Sequence, residues 1–367
     1  MRRSRRALGG VLAAMLALGL SGCWDQFSLD QRQTALAISA KPGPRGTIQW
    51  RAYFPNPTVN VSSLSQISSH DQFFQYHVEA STLAAALQAI QDKLANDLYT
   101  EQLQVFIVSP RFSTQQLASL IGAYNRQAML PKSAYVLASA TPASAFPIKI
   151  QQPPPTVFFD NYFNCRTCHP LYLAMRAWRF WDRLVTPGVS PVLPYSTSAL
   201  TVRRLLVYPP QGLPVIFGPK ASEGWALLTN HVVNESLTLN TQGDLIGLDH
   251  IRSHAMTQVV SGRDGLRVNV RIQVRACLNQ WPPSRIPTLA GNQAIARKVS
   301  FYLATLANRA IAQAEQSHTD PFGWQRSYLF RHPRMLPPTR VGINAHLSPV
   351  QAKVTVTTQM TSQGVSE

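Results

Sequence analysis

Acidic side chains are scarce in this chain: 17 Asp and Glu stand against 34 Lys and Arg, a formal net charge of +17. The excess persists without Arg2, Arg3, Arg5 and Arg6, and it points to anionic lipid headgroups or an acidic partner face. The arginines are dispersed (Arg176, Arg203, Arg252, Arg271, Arg297, Arg340), with no compact Lys/Arg run and no interleaved aromatic and basic pattern. Nucleic acid is therefore set aside as a partner. A P-loop, a G-x-G-x-x-G and a G-x-S-x-G are all missing, so an enzymatic reading has no residues to stand on. Long apolar runs are missing beyond residue 20, which leaves any membrane element to the N-terminus. Cysteines number four, at 23, 165, 168 and 277.

What is present begins at the N-terminus. The four arginines precede an uncharged apolar run from Ala7 to Leu20, and Leu20-Ser21-Gly22-Cys23 follows. That is the layout of a secretory signal. The apolar run, roughly 14 residues, falls short of the ~20 that a spanning helix needs. A cysteine directly after Leu-Ser-Gly resembles the bacterial lipobox, in which the thiol is alkylated with diacylglycerol and cleavage makes that cysteine the first mature residue. Residues 1–22 are thus expected as a lipoprotein signal peptide, and Cys23 as the site of lipid attachment. Acyl chains anchor at about 0.8 kcal/mol per buried methylene. The expected location is the outer face of a bacterial cytoplasmic membrane, or a periplasm.

The mature chain has room for two or three domains. Thr47 to Phe54 reads as a strand after the Pro/Gly turn at residues 41–46, and residues 58–76 read as a polar loop. Leu83, Leu87, Ile90 and Leu94 share a helical face behind a Ser81 or Thr82 cap, in a helix expected to run to about Asn96. Leu103 to Val108 and Ser133 to Ser139 read as strands around a helix that opens at Ser113 with a Ser…Gln116 capping box. Strand, helix, strand, helix, strand implies an α/β layer with a partly parallel sheet. A helix is expected from Pro170 to about Val185, and a hairpin around Gln242-Gly243-Asp244. From Leu266 to Cys277 apolar residues alternate with Arg267, Asn269, Arg271, Gln273 and Arg275, which predicts a half-buried strand with a basic, solvated face. The longest helix is expected over residues 293–317, and a closing strand pair over 341–360. The predicted architecture is α+β / α/β, multi-domain, with mixed sheets and flanking helices. It divides into an N-terminal α/β region over 23–195 with a subdomain break near 141–155, a connector over 196–220, and a C-terminal α+β domain over 221–367.

Three stretches carry chemistry-bearing residues. Cys165-Arg166-Thr167-Cys168-His169 has the C-x-x-C-H spacing of a c-type haem attachment site, with two thioethers and an axial histidine. No second axial ligand is evident, and a local disulfide or thiol pair accounts for the same cysteines. An extracytoplasmic electron-transfer lipoprotein is the alternative function this motif supports. His250 and His254 stand four apart, a helical metal-ligand spacing with no evident third ligand. Tyr172, Trp178, Phe180 and Trp181 cannot all face one core, which marks either a docking surface or a helix held between two domains. Cys277 reads as a small buried apolar residue. A solute-binding lipoprotein would need two similar lobes, and no such duplication is visible.

The order of segments resembles the Ger(x)C lipoproteins, the C subunits of spore germinant receptors. The resemblance rests on Gly22-Cys23-Trp24-Asp25, on Leu36-Ala37-Ile38 with Ala52-Tyr53-Phe54-Pro55-Asn56-Pro57, on Ser81 to Leu87, on Gln104 to Ser109, and on Asp320-Pro321-Phe322-Gly323. The chain departs from the family in its sparse acids after Trp-Asp, in Thr100-Glu101-Gln102, and in its C-x-x-C-H. The resemblance implies several α/β-type domains with a mixed sheet and flanking helices. It also implies a non-catalytic subunit without cofactor, working beside a membrane-spanning A-type and a transporter-like B-type subunit in the spore inner membrane. The one functional residue that carries over is the lipidated Cys23.

Overall fold

A computed structural model describes residues 31–56, 73–141, 155–165, 173–197, 202–232, 235–241, 244–262, 265–280, 289–335 and 349–362. The elements run β1 (Arg32–Thr34), β2 (Ala37–Pro42), β3 (Ile48–Pro55), β4 (Phe73–Ala80), α1 (Leu83–Gln91), β5 (Asp97–Tyr99), β6 (Val105–Val108), α2 (Thr114–Arg126) and β7 (Tyr135–Ser139). They continue with α3 (Pro155–Asn164), α4 (Ala177–Val185), β8 (Val192–Ser196), β9 (Arg204–Val207), β10 (Val215–Phe217) and α5 (Pro219–Leu228). The last are β11 (Glu235–Thr241), β12 (Asp244–Gly262), β13 (Gly265–Gln280), α6 (Leu289–Gln316), α7 (Trp324–Arg331) and β14 (Val350–Ser362).

Eight strands form the larger sheet in the order β10-β9-β8-β7-β6-β2-β3-β4. Its centre, β2-β6-β7-β8, is parallel, and both wings are antiparallel. Central strands covered on both faces need continuous apolar runs. Val105-Phe106-Ile107-Val108 is such a run and is wholly buried, as are β7 and β8. The helices are set by their caps. Ser113 accepts from the Gln116 N–H while Gln116 accepts from the Ser113 N–H, the expected capping box, and Thr82 caps α1. Bare backbone at Gly122 lets the Trp181 ring of α4 approach α2: a Cβ there would lie 3.0 Å from that ring.

The smaller sheet is β11-β12-β13-β14. β13 alternates buried and exposed over most of its length, as its sequence predicts. Leu266, Val268, Val270, Ile272 and Val274 face inward, and α6 offers Val299, Leu303, Leu306 and Ala310 in return. Ser300 Oγ bonds Thr358 Oγ1 at 2.9 Å and accepts from the Thr358 N–H at 3.0 Å, pinning α6 to β14. α5 crosses α6 at Gly224, where a Cβ would meet the Leu306 carbonyl oxygen at 2.0 Å. One apolar core runs through both sheets.

Several expectations are corrected. Residues 196–220, expected as a connector, contribute β9 and β10 to the larger sheet. α4 begins at Ala177 rather than near Pro170, because Arg176 is in extended backbone and bridges to Tyr135. α3 occupies a stretch without an expected helix, and β4 begins inside the expected loop of residues 58–76. α1 ends at Gln91, where Asp92 accepts a bond from Gln88 at 2.8 Å. Of the strand pair expected over 341–360, β14 is described, and residues 336–348 lie outside the described set.

Candidate functional site

The sites expected from sequence fall unevenly. Cys23, Cys168, His169 and Tyr172 lie outside the described residues. Cys165 closes the end of α3 and is disulfide-bonded. His250 and His254 sit on β12 beside an irregularity between Asp249 and Arg252, so the helical ligand spacing does not exist there. Among the described residues no group of three His, Cys, Asp or Glu side chains is placed to hold a metal ion. Phe180 is buried while Trp178 is half exposed on the same helix, with Arg179 over its ring at 5.3 Å. Cys277 is half-buried rather than buried, with its sulfur 3.2 Å from Thr361 Oγ1.

The Asp320-Pro321-Phe322-Gly323 motif forms a seam between the two sheets. The Asp320 carboxylate caps the start of α7. Oδ1 accepts from the N–H groups of Phe322 (3.1 Å) and Gly323 (2.9 Å), and Oδ2 from Gln325 (2.7 Å). The N–H groups of Gly323 and Gln325 are orphan donors at the start of α7, and that of Phe322 belongs to the turn leading into it. Gly323, at φ +74, takes the left-handed conformation that lets the chain turn into that helix. Asp320 also reaches across the molecule. Its N–H donates to Ser190 Oγ at 2.9 Å, and its carbonyl accepts from the Ser190 N–H at 2.8 Å. Beside it, Trp225 Nε1 donates to the Pro321 carbonyl at 3.0 Å, and the Arg326 N–H to Gly188 at 2.8 Å.

Burial dominates the electrostatics of this seam. It pushes the Asp320 carboxyl up to about 6 even though backbone N–H groups pull it down. It pushes His231, stacked on Trp225 at 4.6 Å, down to about 4, with Arg183 adding to the effect. Glu235 is driven up to about 7 by burial and by Glu223 nearby. A cavity of about 390 Å³ opens beside the motif, lined by Ile311, Glu315, His318, Asp320 and Trp324 among others. Asp320 has its acceptors engaged by backbone, so the motif acts as a joint and not as a general base. The only sequence signal for this role is the Asp-x-x-Gly spacing itself, since Ser190 is 130 residues away.

The second feature is the open face of the smaller sheet. β13 contributes Arg267, Arg271 and Arg275, and the register adds Arg252 opposite Arg275 and Lys353 opposite Asn269. All five cations are exposed, and β12 beyond His250, β13 and β14 contain no Asp or Glu. The nearest acid along β12, Asp249, is taken up by Asn279. Such a surface is electrostatically complementary to anions. No helix among the described residues is long and apolar enough to cross a membrane.

Comparison with known proteins agrees with this picture. The crystal structure of the GerBC protein has the same fold, with a TM-score of 0.56 over 88% of this chain and 96% of that one, at 9% identity. No curated protein matches the chain in sequence. Residues 25–198 match the family model of the spore germination protein N-terminal domain. That stretch starts immediately after Trp24 and holds all of the larger sheet up to β8. Residues 25–198, just under half of the chain, thus match the spore germination protein N-terminal domain family, and the whole described fold is that of GerBC.

Proposed function

We propose that the chain is a non-catalytic, lipid-anchored C subunit of a spore germinant receptor. It acts in nutrient-triggered germination through assembly with A-type and B-type integral membrane subunits. The observation that carries the reading is the match of residues 25–198 to the spore germination N-terminal domain. The GerBC-like fold supports it over nearly the whole chain. The reading places diacylglycerol on Cys23, on the outer face of the cytoplasmic membrane that becomes the spore inner membrane. β1 begins at Arg32, nine residues beyond Cys23, so the folded body would stay within about 30 Å of its anchor.

The test is fractionation of spore membranes. The chain is expected in the membrane fraction, co-purifying with A-type and B-type subunits after detergent extraction. Cys23→Ala is expected to move most of it to the soluble fraction and to abolish the nutrient response. A Cys23→Ala chain still held at the membrane with full germination would overturn the anchor, and a partnerless wild-type chain would overturn the receptor reading.

A further inference from the structure

The open face of the β11-β12-β13-β14 sheet carries positive charge that the fold itself does not use. Arg267, Arg271 and Arg275 stand at four-residue intervals along β13, a row spanning roughly 26 Å at about 3.3 Å per residue. Arg252 lies directly opposite Arg275 across the β12–β13 pair. Like charges in that position destabilise a sheet. None of the five cations has a hydrogen-bond or ionic partner among the described residues. The residues between them, Asn269, Gln273 and Thr355 among them, are exposed and polar, and Met256 and Val260 add two exposed apolar side chains. A solubilising surface would intersperse both signs of charge; this one carries a single sign over three adjacent strands.

We propose that this sheet face docks on an anionic lipid bilayer, with the five cations on headgroup phosphates and the polar side chains between them as further donors. Charge complementarity selects the occupant. The cations are spread over a broad sheet, with only Arg271 and Lys353 sharing a shallow depression, and among the described residues of β12 beyond His250, β13 and β14 no acidic side chain is available to fix the register of a protein partner. A bilayer needs no register, only a surface over which basic side chains lie within a Debye length. α6 covers the opposite face of the sheet and would point away from the membrane. The inference rests on the membrane placement proposed above and adds to it an orientation: the tether restricts the body to the surface, and the arginine row sets which way it lies.

The experiment uses the mature chain, residues 23–367 with Cys23→Ser, so that acylation plays no part. Its sedimentation is measured with vesicles of phosphatidylglycerol and phosphatidylcholine, and with phosphatidylcholine alone, at low and high NaCl. Binding is expected to the anionic vesicles only, and to disappear at high salt. The triple variant R267Q/R271Q/R275Q is expected to lose roughly 100-fold in partitioning, the equivalent of about 1 kcal/mol per cation. The variant R267K/R271K/R275K keeps the charge and is expected to bind. Unchanged binding by the glutamine variant, equal binding to both vesicle types, or no binding to anionic vesicles would each overturn the proposal. The last outcome would reassign the face to an acidic protein. All three side chains point to solvent, so near-identical melting of the variants checks that each is folded. Loss of membrane anchoring in spores through Cys23→Ala leaves this result untouched, which keeps the two readings separable.

Discussion

The two larger sheets of this molecule solve opposite problems. The larger one buries both faces at its parallel centre, so Val105 to Val108 can carry nothing but apolar side chains. The smaller one buries a single face against α6 and leaves every second residue of β13 free to vary. A sheet covered twice holds shape and says little about partners. A sheet covered once can hold shape with one set of residues and meet a partner with the other. In this chain the once-covered sheet is where the positive charge is organised, and the seam at Asp320 fixes it to the rest.

The comparison breaks most sharply inside the larger sheet. Phe106 is fully buried, with its ring centroid 5.1 Å from Tyr124 and 6.5 Å from Trp50. Phe106→Ala removes the ring and leaves a cavity that two large aromatics cannot collapse into. The expected loss is about 3–5 kcal/mol, read as a lower denaturant midpoint at unchanged slope.

The seam is expected to show next, through pH. Burial holds the Asp320 carboxyl at about 6 in the folded chain, above its unfolded value of about 3.8. Between those values the folded state binds more protons, so this group's contribution is full below pH 4 and is lost as pH rises through 6. Two pH units correspond to about 3 kcal/mol at most. Glu235 acts in the same direction up to about 7, whereas His231, depressed to about 4, loses stability as pH falls below 6.5. The wild-type profile mixes the three, and Asp320→Asn isolates one. The stability gap between wild type and Asp320→Asn should be widest below pH 4 and should have narrowed by pH 7.5. A gap that is constant across that range would contradict a buried, proton-holding Asp320.

Much of the fold was legible because local chemistry set it. The Ser113–Gln116 capping box, the strict alternation of β13, the hairpin between β11 and β12, and the long helical face of α6 all stand in the sequence and in the structure. What was not legible depends on distant partners. Residues 202–208 read as extended in the sequence, but their place in the larger sheet shows only once β8 and β10 flank them. α4 starts late because Arg176 pairs with Tyr135, 41 residues earlier in the chain, which spacing does not reveal. The basic face was half visible: Arg267, Arg271 and Arg275 announce themselves along β13. Arg252 and Lys353 join them only through the register with β12 and β14. The Asp320 motif was visible as a spacing, but its role needed Ser190.

The smallest expected effect is the most direct statement of the contrast, because it compares neighbours on one strand. Val270 points inward and is 1% exposed; Arg271, the next residue, points to solvent. Val270→Ala removes two buried carbons and should cost about 2 kcal/mol, with a cavity term included. Arg271→Gln should change stability by no more than about 0.5 kcal/mol, because no partner in the fold is lost. Its sign should be stabilising at low salt, since the cation is removed from a field of its own kind, and the gain should vanish as salt screens the row. Thermal melts of both variants at two salt concentrations check this. A destabilised Arg271→Gln would mean that the arginine row serves the fold, and equal losses at 270 and 271 would mean that β13 does not separate its two faces.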